Sequence, residues 1–312
     1  MAMTRRSERT LARCATVRGV SFLSGLDVTI RFRPAPAGSG LVFLRTDLPG
    51  CPEVPALVAH AVARARRTAI ENGPARVEMV EHVLAALVGL RIDNCRIDID
   101  GPETPGLDGS SLAYTTALAE AGIVEQGRPR PVLVIDRPIT VRDGEAWLAA
   151  RPCPADTLAS LNLAYHLDYG ANAPIPRQSF ALDLSPASFR AELAPSRTFL
   201  LAAEADALRA AGIGRRTSET DLLVFGPHGP IHNVLRYPDE CVRHKILDIV
   251  GDLALAGRDL IGQVEGHRSG HQLNATLVRA LLAERSSRSS AIPSPHVRIG
   301  SPPRVSDPAR SA

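Results

Sequence analysis

The sequence predicts an α+β fold of two similar halves, each a sheet with packed helices. Three observations carry that expectation. Hairpin-like strand pairs occur twice, at residues 13–34 and 132–150. A helix follows each, at 78–90, where apolar residues recur at helical spacing, and at about 240–256. The segments Val-Glu-His-Val-Leu-Ala-Ala-Leu and Arg-His-Lys-Ile-Leu-Asp-Ile-Val then occupy corresponding places in the two halves, the mark of a weak internal repeat. Sheets and helices in such a pattern bury their apolar faces against one another.

In the first half, Val28, Ile30 and Phe32 alternate with Thr29, Arg31 and Arg33, as a half-buried strand requires. Ser24-Gly25 is the turn that precedes this strand, and Pro34, Pro36 and Gly38 to Gly40 end it. Leu41 to Leu44 restarts a strand. Val80, Val83, Leu84, Leu87 and Val88 mark the first helix, and Cys95 to Ile99 a further strand. Leu107-Asp108-Gly109-Ser110 is a turn, after which Ser110 or Ser111 caps a helix that reaches Ala121. Gly127 to Pro131 is a polar joint, so the domains are expected at 10–127 and 128–285.

In the second half, Val132 to Ile135, Ile139 to Val141 and Ala146 to Ala150 are strands, with Asp143-Gly144 as a hairpin turn. Residues 200–214 form an alanine- and leucine-rich helical insert. The second long helix follows. Residues 286–312, rich in Ser, Pro and Arg and without periodicity, are expected to be a disordered tail.

Composition narrows the function. At 312 residues with 45% hydrophobic and 22% charged residues, the chain reads as an ordinary soluble globular protein. Aromatics at 4% and a net charge of +3 without a basic stripe speak against a nucleic-acid binder. The mild positive balance suits a phosphorylated small substrate. Five widely spaced cysteines without a Cys-x-x-Cys pair point to a reducing compartment. With no apolar run long enough for a membrane span and no secretory leader, the expected location is cytoplasmic.

Lys245 is the only lysine in the chain; every other Lys-or-Arg position is arginine. Composition bias would account for that, and so would a need for a compact point charge in a tight place. It lies beside His244 and three residues before Asp248. His244 and Asp248 are at i and i+4, on one helical face, where they can share a metal ion or form an ordinary helix pair. Glu81-His82 sits in an apolar helical run. It is either a pair at the helix edge or a metal ligand beside a general base, since burial of such a pair needs partners. His271 follows a glycine in a loop and could act as a general acid. Asp252, about two turns past His244, could orient it or be a solvated helix charge.

These pieces resemble one family. Val80-Glu81-His82-Val83-Leu84-Ala85-Ala86-Leu87, His244-Lys245-x-x-Asp248-x-x-Gly251-Asp252 and Ser269-Gly270-His271-x-x-Asn274 look like the three signatures of the UDP-3-O-acyl-N-acetylglucosamine deacetylases, zinc hydrolases of lipid A synthesis. Arg33-Pro34-Ala35-Pro36, Arg45-Thr46-Asp47-Leu48, Ile92-Asp93-Asn94, Pro102-Glu103 with Asp108-Gly109-Ser110, and Arg197-Thr198-Phe199 match in the same order, from about residue 10 to 280.

The resemblance implies helices sandwiched between two sheets, with the site at the junction. One zinc per chain would be held by His82, His244 and Asp248, although two histidines and an aspartate suit iron as well. Glu81 would be the general base, His271 oriented by Asp252 the general acid, and Thr198 an oxyanion donor. Lys245 and Phe199 would contact the substrate, a UDP-linked acylated amino sugar, and residues 200–214 would form the acyl passage. The chain would act as a monomer without nucleic-acid partners. Departures from the family pattern fall at Leu23, where many members have histidine, at Met79, at Leu200-Leu201 and at Arg215-Arg216. Some relatives carry a fused dehydratase, an activity not expected here. A deacetylase of another acetamido sugar, or a non-catalytic nucleotide-sugar or lipid binder, are the competing readings; the full set of chemical residues disfavours the latter.

Overall fold

The computed structural model describes residues 6–154 and 160–291. Five helices matter below: α1 (Glu81–Gly89), α2 (Leu112–Glu120), α3 (Ala202–Ala210), α4 (Glu240–Leu253) and α5 (His271–Ala291). The fold is α+β, as expected.

The two large sheets repeat one topology. In the five-stranded sheet, Ala15–Val20 and Asp27–Pro34 form the hairpin, and Cys95–Ile99 lies between Asp27–Pro34 and Leu41–Arg45, with Glu53–Pro55 at the edge. Cys95–Ile99 is antiparallel to the hairpin strand and parallel to Leu41–Arg45. In the six-stranded sheet, Ile139–Asp143 and Ala146–Arg151 form the hairpin. Asp259–His267 takes the matching central place, antiparallel to Ala146–Arg151 and parallel to Leu161–Leu167, with Gln178–Asp183 at the edge. Val132–Val134 adds a strand parallel to the beginning of Asp259–His267. In each half the central strand is laid down last, after a helix, α1 or α4. The internal repeat is therefore a repeat of connectivity.

α2 packs on Ala15–Val20, α4 on Leu161–Leu167 and Gln178–Asp183, and α5 on the second hairpin, while α1 meets both α2 and α4. These four helices thus lie between the two sheets. α1 is buried at every position except Val88, which suits its apolar composition all round. Gly251 of α4 marks the crossing with α1: a Cβ there would stand 2.1 Å from the Glu81 carbonyl oxygen. Only glycine lets the two helices approach so closely.

Local differences from expectation have local causes. α1 begins at Glu81, because Met79 adopts a left-handed backbone (φ 58°) between strand Ala75–Glu78 and the helix. Ser110, through its Oγ, accepts from the Leu112 amide at 3.1 Å, whereas Ser111 donates to the His82 carbonyl at 2.8 Å. Residues 123–129, read partly as a joint, form a strand paired with Ser7–Leu11. The insert helix α3 is shorter than residues 200–214. α5 runs into the stretch read as a tail, and residues 292–312 lie outside those described.

Each half also carries an insert between its fourth strand and its helix. The first is a three-stranded antiparallel sheet of Ala61–Val62, Ala69–Asn72 and Ala75–Glu78. The second holds Phe199–Leu201, parallel to Leu223–Gly226, followed by α3. Both inserts border the cavity described next.

Candidate active site

α1 and α4 bring the metal-ligating types together. His82 and His244 stand edge to face, ring centroids 5.1 Å apart. Asp248 Oδ1 lies 3.6 Å from His82 Nε2 and 3.4 Å from His244 Nε2. His82, His244 and Asp248 are all buried and form a group that could hold a metal ion. Zinc bonds of about 2.0–2.2 Å in a tetrahedron put ligand atoms roughly 3.3–3.6 Å apart, so the spacing fits. His244 Nδ1 is 3.1 Å from the Ser196 carbonyl, to which its N–H donates, leaving the Nε2 lone pair for a ligand. Burial holds His244 down to about 4 despite the attraction of Asp248, which favours the neutral imidazole that ligation requires. Burial opposes the Asp248 carboxylate, but His244, Lys245 and His82 outweigh it and hold its pKa well below the ordinary range.

Lys245 places its ammonium on the other oxygen, Asp248 Oδ2, at 2.8 Å. Burial disfavours that charge, yet Asp248 and then Tyr165 raise its pKa above the ordinary value. The single lysine is therefore a fixed cation that also lines the cavity.

Glu81 is 1% exposed, so it is not a pair at the helix edge. Burial raises its pKa, opposed by the attraction of His271 and His82. His271, the first residue of α5, puts Nε2 4.0 Å from both Glu81 Oε1 and Asp248 Oδ2. Its Nδ1 is 2.9 Å from Asp252 Oδ2. Burial alone would lower the His271 pKa, but Asp252 and then Glu81 overcome it and raise it to about 9. Asp252 is fully buried, which removes the alternative of a solvated helix charge.

Thr198 donates its hydroxyl to the Gly109 carbonyl at 3.0 Å, and the same oxygen lies 3.3 Å from His244 Nε2. Gly109, with φ 75°, belongs to the turn after Pro105, so the first half supports a residue of the second-half insert. Phe199 packs edge-on against His244, with ring centroids 6.0 Å apart. All nine site residues expected from sequence except Asp252 line one cavity of about 390 Å³, and Asp252 lies behind it against His271.

Sequence reasoning missed several residues here. Arg268 and Tyr169 line the cavity. Thr68 touches both Glu81 and Asp252. Arg66 from the first insert reaches Glu204 of α3 at 2.6 Å across the cavity edge. None belongs to a recognisable motif. Of the departures, Met79 and Leu200 line the cavity. Leu23 instead donates its backbone N–H to Glu103 at 2.8 Å.

The sequence that builds this arrangement, with two helices from different halves meeting at a His-His-Asp group beside buried Glu81 and His271, matches a known family. Residues 8–283 match the model of the family described as LpxC, UDP-3-O-acyl N-acetylglycosamine deacetylase. The chain belongs to this family. It is 40% identical to a UDP-3-O-acyl-N-acetylglucosamine deacetylase of Anaeromyxobacter sp. (strain Fw109-5), over 90% of each chain. The Myxococcus xanthus (strain DK1622) deacetylase is 37% identical over 90% of this chain and 88% of its own. A bifunctional LpxC/FabZ enzyme of Chlorobaculum tepidum is 38% identical over 88% of this chain but only 64% of its own length. The site residues named above all fall within residues 8–283, the span matched by the family model. No described helix is long and apolar enough to cross a membrane.

Proposed function

We propose that this chain is a zinc-dependent deacetylase that removes acetate from UDP-3-O-acyl-N-acetylglucosamine, the committed step of lipid A synthesis. The observation that carries this reading is the convergence of His82, His244, Asp248, Glu81 and His271 on one cavity. Membership in the LpxC family supplies the substrate class.

His82, His244 and Asp248 would hold one zinc. When bound, it lowers the pKa of water to about 7 and polarises a carbonyl. Glu81, buried and raised in pKa, accepts the proton of the attacking water at Oε1. Thr198 releases Gly109 and donates its hydroxyl to the oxyanion. His271 delivers the proton carried on Nε2 to the departing amine, while Asp252 holds its Nδ1. Proton entry and exit are thus assigned to two groups 4.0 Å apart.

Lys245 and Arg268 offer positive charge at the cavity wall for the substrate's polar head. Phe199, Met79 and Leu200 offer an apolar wall for the acyl chain. Within residues 200–214 only Leu200 and Glu204 reach the cavity, and Ala205 packs instead with Phe22, Leu222 and Val224. The passage is therefore assigned to the start of the insert. The site is complete within one chain, which suits a monomer.

The reading is tested by metal analysis joined to variants. His82→Ala should purify without stoichiometric zinc. Glu81→Gln should keep zinc and lose most turnover, on the order of 10²–10⁴-fold for a general base. A Glu81→Gln protein with full turnover would remove Glu81 from the mechanism.

A further inference from the structure

Thr68 lies at the entry to strand Ala69–Asn72, in the insert of the first half, and is buried. Its backbone N–H donates to Glu81 Oε2 at 3.1 Å. Its hydroxyl donates to Asp252 Oδ1, and the same oxygen is 3.2 Å from His271 Nδ1. One residue therefore contacts the base, the acid and the carboxylate that orients the acid.

Asp252 Oδ2 already accepts from His271 Nδ1–H at 2.9 Å and from Asn274 Nδ2 at 2.8 Å. Asp252 Oδ1 accepts from Thr68. A carboxylate anchored at one oxygen alone turns within a broad torsional well. Anchored at both, it holds the imidazole plane in one orientation, with Nε2 aimed at the cavity. The Thr68 amide does the same for Glu81: with Oε2 held, Oε1 is the oxygen left facing His271 at 4.0 Å. Base and acid come from different helices, α1 and α5, and Thr68 belongs to neither.

We propose that Thr68 is a positioning residue that sets the distance and orientation between the base and the acid. The proposal deepens the deacetylase reading and rests on it. Small displacements of reacting groups cost large factors in rate, so a side chain that fixes two of them at once bears on turnover without touching substrate. The donor is a hydroxyl, so serine replaces it and valine, of the same shape, does not.

The test uses full-length, zinc-loaded protein as Thr68→Val, Thr68→Ser, Asp252→Ala and the Thr68→Val/Asp252→Ala double variant, each checked for zinc content and melting. Thr68→Ala takes the place of the valine protein should that one fail to fold. The expected result is a fall in kcat of roughly 10–100-fold for Thr68→Val, typical of lost outer-shell partners, with KM and bound zinc unchanged. Thr68→Ser recovers most of the loss, and the valine change costs little more once Asp252 is gone. A purely structural role would instead lower melting and zinc content and would multiply with Asp252→Ala. Wild-type kcat in Thr68→Val, equal loss in the serine and valine proteins, or strict multiplication in the double variant each overturn the proposal. Absence of acetate release by the wild-type chain is a different failure: it overturns the deacetylase reading, and the role of Thr68 with it.

Discussion

Lys245 bonds one oxygen of Asp248 while the other faces two histidines. A guanidinium at that position presents a planar fork that engages both carboxylate oxygens. Lys245→Arg is therefore expected to weaken zinc retention and raise KM together, measured by metal content and steady-state kinetics; wild-type values would remove the argument from charge shape. In the proposed mechanism Glu81 and His271 set the pH response. Glu81 must be ionised, so activity falls as pH drops through a pKa raised above that of an ordinary glutamate. His271 must be protonated, so activity falls as pH rises through a pKa raised above that of an ordinary histidine. The kcat/KM profile is expected to be bell-shaped, its alkaline limb moving or vanishing in His271→Ala. At this scale the sequence was informative about which residue types meet, because their motifs are local. It was silent on Thr68, whose partners Glu81, Asp252 and His271 are brought to it only by the tertiary fold.

Helices α1 and α4 were legible because their apolar residues recur at helical spacing. The first insert was not: residues 61–72 hold three arginines, and the strands are short. Such strands are stabilised by what they pack against, and that context is invisible in a local window. The burial of Glu81 and Asp252 was ambiguous for the same reason, since the cost of burying a charge depends on partners elsewhere in the chain. At the crossing of α1 and α4, Gly251→Ala puts a methyl group against the Glu81 backbone. The helices must separate, which shifts Glu81 and His82 away from His244 and Asp248. The expected outcome is a destabilisation of about 1–3 kcal/mol, typical of overpacking, with weaker zinc binding, read by denaturant melts and metal titration.

Across the whole molecule, the repeated sheet topology leaves two halves to be held in register. Arg6 does this at the side of the sandwich, bonding Asp93 at 2.6 and 2.7 Å and Asp259 at 2.7 Å through each oxygen. Arg130 supports the same pair of aspartates from 3.0 and 3.3 Å. Asp93 follows α1, and Asp259 opens the central strand of the second sheet. Removing one partner of a largely buried charge cluster costs about 3–5 kcal/mol; Arg6 is 17% exposed, so Arg6→Ala is expected near the lower end, measured by chemical denaturation. Duplication was visible in the sequence as two similar helical motifs, but the insertion of each central strand between earlier ones was not, because register across a sheet is a long-range property. That topology matters to the proposed function: it carries Glu81 and His82 on α1 and His244 and Asp248 on α4, so the His-His-Asp group forms only when both halves fold together. Acetate release from UDP-3-O-acyl-N-acetylglucosamine by the purified, zinc-loaded chain decides whether this cavity is a deacetylase site. Acetate should form in proportion to enzyme-bound zinc and fall to background in Glu81→Gln; a protein with one bound zinc that released none, at any acyl length supplied, would contradict it.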